Sequence, residues 1–385
     1  MADNLQIVKQ RLAALIAQPS VSCFDAALDT SNLGVVDLLD EWLTDAGFAV
    51  QRQTVNEAPR KLNLIARLGH GEGGLVLSGH TDTVPFDEGR WTSDPFRLDE
   101  RDGRWYGLGS ADMKCFFPIV MAALDGVDRA RLRRPLTVIA TADEESSMAG
   151  ARCLADCGSQ LGSYALIGEP TALIPVRKHK GIVIARIEII GRSGHSSEPA
   201  LGANALDCMV DVIGDLVAWR ERAAGHYADD DFKVPMPTLN LGRIQGGDSP
   251  NRICADCELL FDIRVTPPMV IDDAVDELRE RVEARCAAAG VRGALTLPMA
   301  PLPALDTPAD SALVSALETL SGSPARTVAF ATEAPFFNAL GCQSVIFGPG
   351  DIATAHQPDE YVEIDKVARM IEILRPLIER FCCDE

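Results

Sequence analysis

Two hydrophobic periods alternate along the chain. The N-terminal stretch places Leu5, Val8, Leu12, Leu15 and Ile16 on a helical repeat and predicts an amphipathic surface helix. A second helix is expected from about Leu33 to Ala46, with Gly47 as its stop. Short, nearly continuous apolar runs then predict buried strands near Phe48–Gln53, Asn63–Leu68, Leu75–Ser78, Leu136–Thr141 and Tyr164–Ile167. Helical patterns fall between them, near Phe116–Leu124 and Ala149–Cys157. The stretch 90–105 is polar and turn-rich and reads as surface covering. Strands alternating with helices predict an α/β layer built on a mixed, largely parallel sheet flanked by helices.

The pattern changes near Gly181. A long strand-like run over 182–190, a helix over 203–219, strands over 238–244 and 254–264, a helix over 272–289 and a strand over 294–297 follow in turn. That is β-α-β-β-α-β, the order of a ferredoxin-like α+β module. The α/β pattern resumes with a helix at 311–320, strands at 327–330 and 344–347, and a last helix at 364–381. The expected organisation is one α/β domain from 1–180 and 295–385, interrupted by an inserted domain at 181–294.

Composition narrows the function classes. The chain has 385 residues, 47% hydrophobic and 24% charged, as expected of a globular protein with a large core. A net charge of −20 argues against nucleic acid or an anionic membrane as partner. No apolar run approaches the roughly 18 residues that span a bilayer. The first residues carry charges where a secretory signal needs an apolar stretch. Eleven cysteines without framework spacing fit reduced thiols, so a cytoplasmic location is expected. Cys254 and Cys257 form a CxxC, but no second pair follows and the segment reads as a strand.

The chemistry gathers at strand ends. His80 and Asp82 follow LVLSG, Glu144 and Glu145 follow LTVIATAD, Glu169 follows ALIG, and His356 comes shortly after VIFGPG. Asp112 lies in a glycine-rich turn before a helix. In open α/β sheets, ligands bind outside the carboxyl ends of the strands. Two histidines and three carboxylates exceed one tetrahedral centre and suit two divalent ions sharing a bridging carboxylate. A hydrolytic site of this kind also needs a base that is not a ligand, and Glu144 and Glu145 can divide those tasks.

The motifs SGHTDTVP, GLGSADMK, ADEES, GEP, GRSGHSS, GGDSPNRI and AHQPDEY, in this order from about residue 60 to 365, resemble those of the M20 family of dinuclear metallohydrolases. The resemblance implies that His80 and Glu169 bind a first metal and Glu145 and His356 a second. It implies that Asp112 bridges both, Asp82 orients His80, and Glu144 is the general base. It implies two divalent cofactors, zinc or substituting cobalt. It further implies that the inserted domain is a lid and homodimerisation module, and that its His195 polarises the substrate carbonyl in cis or in trans.

The implied reaction is hydrolysis of an N-acyl amide on a small molecule. The segments TEAPFFNALGC, NRICADCELLFDIR and FGPGDIATAHQPDEYVE carry a closer resemblance within the family, which implies N2-acetyl-L-ornithine, in arginine biosynthesis, as the substrate. The alternative is another amidohydrolase of the same family, acting on an N-succinyl amino acid such as N-succinyl-diaminopimelate, on an N-formyl amino acid or on a small peptide. For specificity, Arg264 is expected to pair with the substrate carboxylate. Asn251 and Thr332 are expected to add hydrogen bonds, and Glu333 to meet the side-chain ammonium.

Overall fold

The computed structural model describes residues 2–158 and 160–383, which divide into two compact units. The first comprises 1–177, 307–326 and 332–385; the second comprises 178–306 and 327–331. The interruption expected at 181–294 falls inside the second unit, which starts three residues earlier, ends twelve later and adds a short return segment.

The first unit is built on a twisted mixed sheet. Its strands run in the spatial order Ala49–Glu57, Arg60–Leu68, Leu136–Thr141, Leu75–His80, Tyr164–Ile167, Gln343–Ile346. The last four are mutually parallel and the first two are added antiparallel. Every residue of Leu75–His80 and Leu136–Thr141 is buried. That is why these strands read as unbroken apolar runs: a parallel strand covered on both faces has no solvent side to make polar. Helix Phe116–Leu124 is likewise buried all round and packs against Ile364–Cys382. The latter presents Val367, Met370, Leu374, Leu377 and Ile378 to the same core.

Register aligns the chemistry. His80 pairs with Thr141, and Ser78 pairs with Ile139 on one side and Ile167 on the other. The carboxyl ends of three parallel strands therefore finish level with one another. The segments that follow them, 80–82, 143–145 and 168–169, emerge along one edge.

The second unit carries an antiparallel sheet in the order Thr238–Gly246, Asp256–Val265, Gly181–Ile190, Arg292–Thr296. Val183, Ala185, Ile187 and Ile189 are buried while Ile190 is exposed, the alternation of a sheet covered on one face. Two helices supply that cover. Ala205–His226 starts at Asn204, whose Oδ1 accepts from the Leu206 and Asp207 N–H groups. Ile271–Ala289 stops at Gly290, which takes the left-handed conformation. The element order is β-α-β-β-α-β, as the periodicity predicts. Cys254 and Cys257 border and enter the Asp256–Val265 strand.

The 90–105 stretch departs from its reading as turn-rich covering. Asp99–Arg101 and Arg104–Tyr106 form a hairpin, and Tyr361–Glu363 adds a third strand to it. The turn is Asp102-Gly103, both at positive φ. Asp-Gly is a strong two-residue hairpin signal, obscured here by the charged side chains around it.

Candidate functional site

Three strand ends, a glycine-rich turn and a returning loop of the first unit converge on one cluster of imidazoles and carboxylates. His80, Asp82, Asp112, Glu144 and Glu169 are buried, while His356 is half exposed at the rim. Asp112 sits between the two histidines. Its Oδ1 lies 3.0 Å from His80 Nε2, and its Oδ2 lies 3.3 Å from His356 Nε2. Glu169 Oε1 is 3.7 Å from His80 Nε2, and Glu145 Oε2 is 3.0 Å from His356 Nε2. Each imidazole is thus paired with one private carboxylate and one shared one.

The charges are held under tension. Burial disfavours the His80 imidazolium, but Asp112, Glu169 and Asp82 outweigh it and hold the ring well above the usual histidine range. His356 is pushed up to about 10 by its hydrogen bonds to Asp112 and Glu145. Burial pushes the Asp112 carboxyl up, yet its bonds to His356 and His80 outweigh that and hold it well below the carboxylate range. Glu169 and Glu144 are pushed well up, chiefly by burial, with neighbouring carboxylates adding to it.

Glu169 Oε1 is buried and accepts no hydrogen bond. A buried carboxylate oxygen without a hydrogen-bond donor, facing an imidazole nitrogen, is compatible with a cation as its partner. Donor atoms of His80, Glu144 and Glu169 lie within 4.8 Å of one another, as do those of His80, Asp112 and Glu145. Imidazole nitrogen and carboxylate oxygen are the donors that zinc and related divalent ions take. The residues therefore fit divalent metal.

The supporting layer differs in one respect from the sequence reading. His80 Nδ1 bonds the backbone carbonyl of Asp82 at 3.0 Å, while the Asp82 carboxylate is 3.8 Å away. The chain curls as it leaves the strand, so the carbonyl rather than the side chain reaches the ring. The Asp82 carboxylate accepts instead from the Glu145 N–H, at 3.1 Å. One residue thereby fixes the His80 ring through its main chain and the Glu145 main chain through its side chain.

The turn bearing Glu144 and Glu145 is held from its other end too. Asp143, at φ 57°, accepts from Ser22 Oγ at 2.9 Å and pairs with Lys61 Nζ at 2.7 Å. Lys61 is fully buried and also pairs with Asp29 at 2.7 Å. Sequence reasoning missed Lys61. Its signal was a lysine opening the apolar run of a central strand.

The expected substrate contacts divide between the units. Glu333 and Thr332 lie in the first, and both are buried. Glu333 forms part of the floor: Oε1 accepts from Ser78 at 2.6 Å and Oε2 from Thr141 at 2.7 Å. Both of its carboxylate oxygens are thus engaged by hydroxyls of the sheet. The Thr332 hydroxyl accepts from the Ala334 N–H at 3.2 Å.

His195, Asn251 and Arg264 lie in the second unit. There the GRSGHSS and GGDSPNRI loops pair: Ser196 N–H donates to the Asn251 carbonyl and Ile253 N–H to the Gly194 carbonyl. His195 Nδ1 accepts from the Ser197 N–H at 3.2 Å, which leaves the proton of the neutral ring on Nε2. Arg264 Nε donates to Asp262 at 2.8 Å.

The profile of peptidase family M20/M25/M40 matches residues 76–380, most of the chain. The chain belongs to this family. Among curated M20 relatives, the acetylornithine deacetylase of Proteus mirabilis is 47% identical over 371 residues, covering 96% of each chain. That of Salmonella arizonae is 46% identical over 376 residues with the same coverage. Solved M20-like structures match throughout at low identity and share the fold. A Staphylococcus aureus tripeptidase has a TM-score of 0.75 at 18% identity, covering 98% of both chains. A Bacillus subtilis protein described as a dinuclear metal-binding peptidase from the M20 family has a TM-score of 0.66 at 15% identity, again covering 98% of both.

Proposed function

We propose that this M20 enzyme hydrolyses N2-acetyl-L-ornithine to L-ornithine and acetate, the deacetylation step of arginine biosynthesis. Identity of 46–47% to acetylornithine deacetylases over nearly the whole chain supports the substrate. The observation that carries the mechanism is Asp112, whose two oxygens each face a different imidazole. The reading assigns His80 and Glu169 to one divalent ion and His356 and Glu145 to a second, with Asp112 shared. Zinc is the proposed ion, with cobalt able to replace it. When bound, such a pair lowers the pKa of water and polarises a carbonyl.

The remaining work falls to the chain. Glu144 takes a proton from the attacking water as oxygen bonds to the acetyl carbon. It then delivers that proton to the ornithine α-amine as the amide C–N bond breaks. Burial, with neighbouring carboxylates, pushes the Glu144 carboxyl well above the usual carboxylate range. His195, with its proton on Nε2, is the proposed donor to the developing oxyanion. Asn251 and Arg264 are the proposed recognition groups for the substrate carboxylate, and Thr332 adds a hydroxyl.

The proposed biological form is a cytoplasmic homodimer joined through the second unit. Exposed Val210 and Leu206 on its first helix support the contact, and the free thiols support the compartment. No helix among the described residues is long and apolar enough to cross a membrane.

The test is amine release from N-acetyl-L-ornithine beside N-succinyl-diaminopimelate and N-acetylmethionine, with zinc-loaded and EDTA-stripped protein. Metal-dependent turnover fastest on acetylornithine is expected. Preference for another acyl group would overturn the substrate and keep the two-ion site.

A further inference from the structure

We infer that Glu360 is a positioning residue that ties the Asp112 turn to the His356 segment, and so sets the affinity of the ion shared by Asp112, Glu145 and His356. The inference rests on the two-ion reading above. It starts from a buried carboxylate with no part in that reading. Glu360 is 2% exposed. Its Oε1 accepts from the N–H groups of Ala111 at 2.8 Å and Asp112 at 3.0 Å, and its Oε2 accepts from the Gly109 N–H at 3.1 Å. Its backbone carbonyl accepts from the Gly107 N–H at 3.0 Å and from Ser110 Oγ at 3.2 Å. One residue thus satisfies five donors of the segment 107–112.

The turn is shaped for this acceptor. Gly109 has φ +80°, and an added Cβ would lie 3.0 Å from both the Lys114 and Thr83 side chains. Glycine there lets the N–H groups of Gly109, Ala111 and Asp112 point at one place, where an anion is favoured. An ionised carboxylate offers about four lone-pair sites. An amide of the same shape offers only one oxygen, and its NH2 would confront a backbone N–H.

Sequence spacing explains why the effect falls on one centre. Glu360 lies four residues after His356, on the same returning segment. Its grip on the Asp112 peptide therefore fixes two ligands of the His356 centre against each other. His80 belongs to a parallel strand and Glu169 closely follows one, so sheet pairing holds them independently of Glu360.

The test titrates metal-stripped protein with Zn2+ by calorimetry, with circular dichroism and melting curves alongside. The wild type is expected to bind two ions per chain. Glu360→Gln is expected to keep one ion within about threefold of wild type and to weaken the other about 10–100-fold, the usual cost of losing a partner that orients a metal ligand. Adding His356→Ala to Glu360→Gln should weaken that ion far less than His356→Ala does in the wild type. Adding Glu169→Ala should cost the same in either background. Glu360→Asp, which keeps the charge but shortens the reach, should fall between. Ser110→Ala, which removes only the bond to the Glu360 carbonyl, should weaken the same ion a few-fold.

Two ions bound by Glu360→Gln as by wild type would overturn the inference, and so would equal weakening of both. If none of the three variants folds, Glu360 is a core residue and the selective role is wrong. A wild type that binds fewer than two ions would instead remove the two-ion reading on which this rests.

Discussion

The strand-end cluster of the first unit and the paired Gly-Ser loops of the second solve opposite problems. In the cluster most of the titratable groups are buried, and several residues serve two partners at once. Asp82 fixes both His80 and Glu145, and Asp143 takes both Lys61 and Ser22. In the loops His195 is exposed, and its ring is set by bonds to its near neighbour Ser197. The first arrangement concentrates charge that only a fixed geometry can hold. The second keeps a donor loosely tethered, with its proton on the outward nitrogen. Substitutions in the cluster should therefore fail steeply, and those in the loops gently.

The steepest loss is expected at Glu144. Glu144→Ala should reduce kcat by about 10²–10⁴-fold, the usual worth of a positioned base, while both ions remain bound. Elemental analysis of the purified variant beside its turnover separates the roles: near-wild-type activity, or loss of an ion, would make Glu144 a ligand or a bystander.

Lys61→Met should come next, because it strands Asp143 and Asp29 without their buried cation. Breaking a buried pair from one side typically costs about 3–5 kcal/mol. Urea unfolding should show that loss, and Lys61→Arg should recover only part of it. A midpoint unchanged in Lys61→Met would mean that the turn before Glu144 is held without the lysine.

A third comparison uses histidine itself. His80 lies among carboxylates, which push its pKa well above the usual histidine range; His179 is fully buried beside a backbone carbonyl, and burial pushes its pKa down to about 4. The unfolded ring titrates near 6.5. Between those values the unfolded chain binds the extra proton, so His179 favours folding fully above pH 6.5. That contribution is lost progressively as pH falls toward 4, on the order of 3 kcal/mol in all. His179→Gln should flatten the slope of stability against pH between 4 and 6.5; an unchanged slope would place the acid sensitivity elsewhere.

How far the sequence discloses each region follows from the same contrast. His80, Glu145, Glu169 and Asp112 could be grouped from sequence because each follows an apolar strand or opens a buried helix, and parallel register makes strand ends meet. The burial of Glu333 was not legible in the sequence. Only packing shows that it turns down between Ser78 and Thr141. Lys61 and Glu360 were silent for a related reason: a buried charge reads like a surface one until its partners, distant in sequence, are placed. The Asp99–Tyr106 hairpin was marked by Asp102-Gly103, but its stabilising partner, Tyr361–Glu363, lies some 250 residues away.

The gentlest prediction concerns Ser197. His195→Ala removes the proposed oxyanion donor and should lower kcat about 10–10²-fold, with KM and the melting point little changed. Ser197→Ala removes only one of two groups on Nδ1. The Ser197 N–H still donates to that nitrogen, so the tautomer with the proton on Nε2 survives and kcat should fall only about two- to fivefold. The two variants together should cost no more than His195→Ala alone, because Ser197 acts only through the ring. An additive double variant would show that Ser197 touches the reaction by another route. Equal losses from the two single changes would show that Oγ, and not the backbone, sets the ring, and the loop would then be as tightly specified as the strand ends.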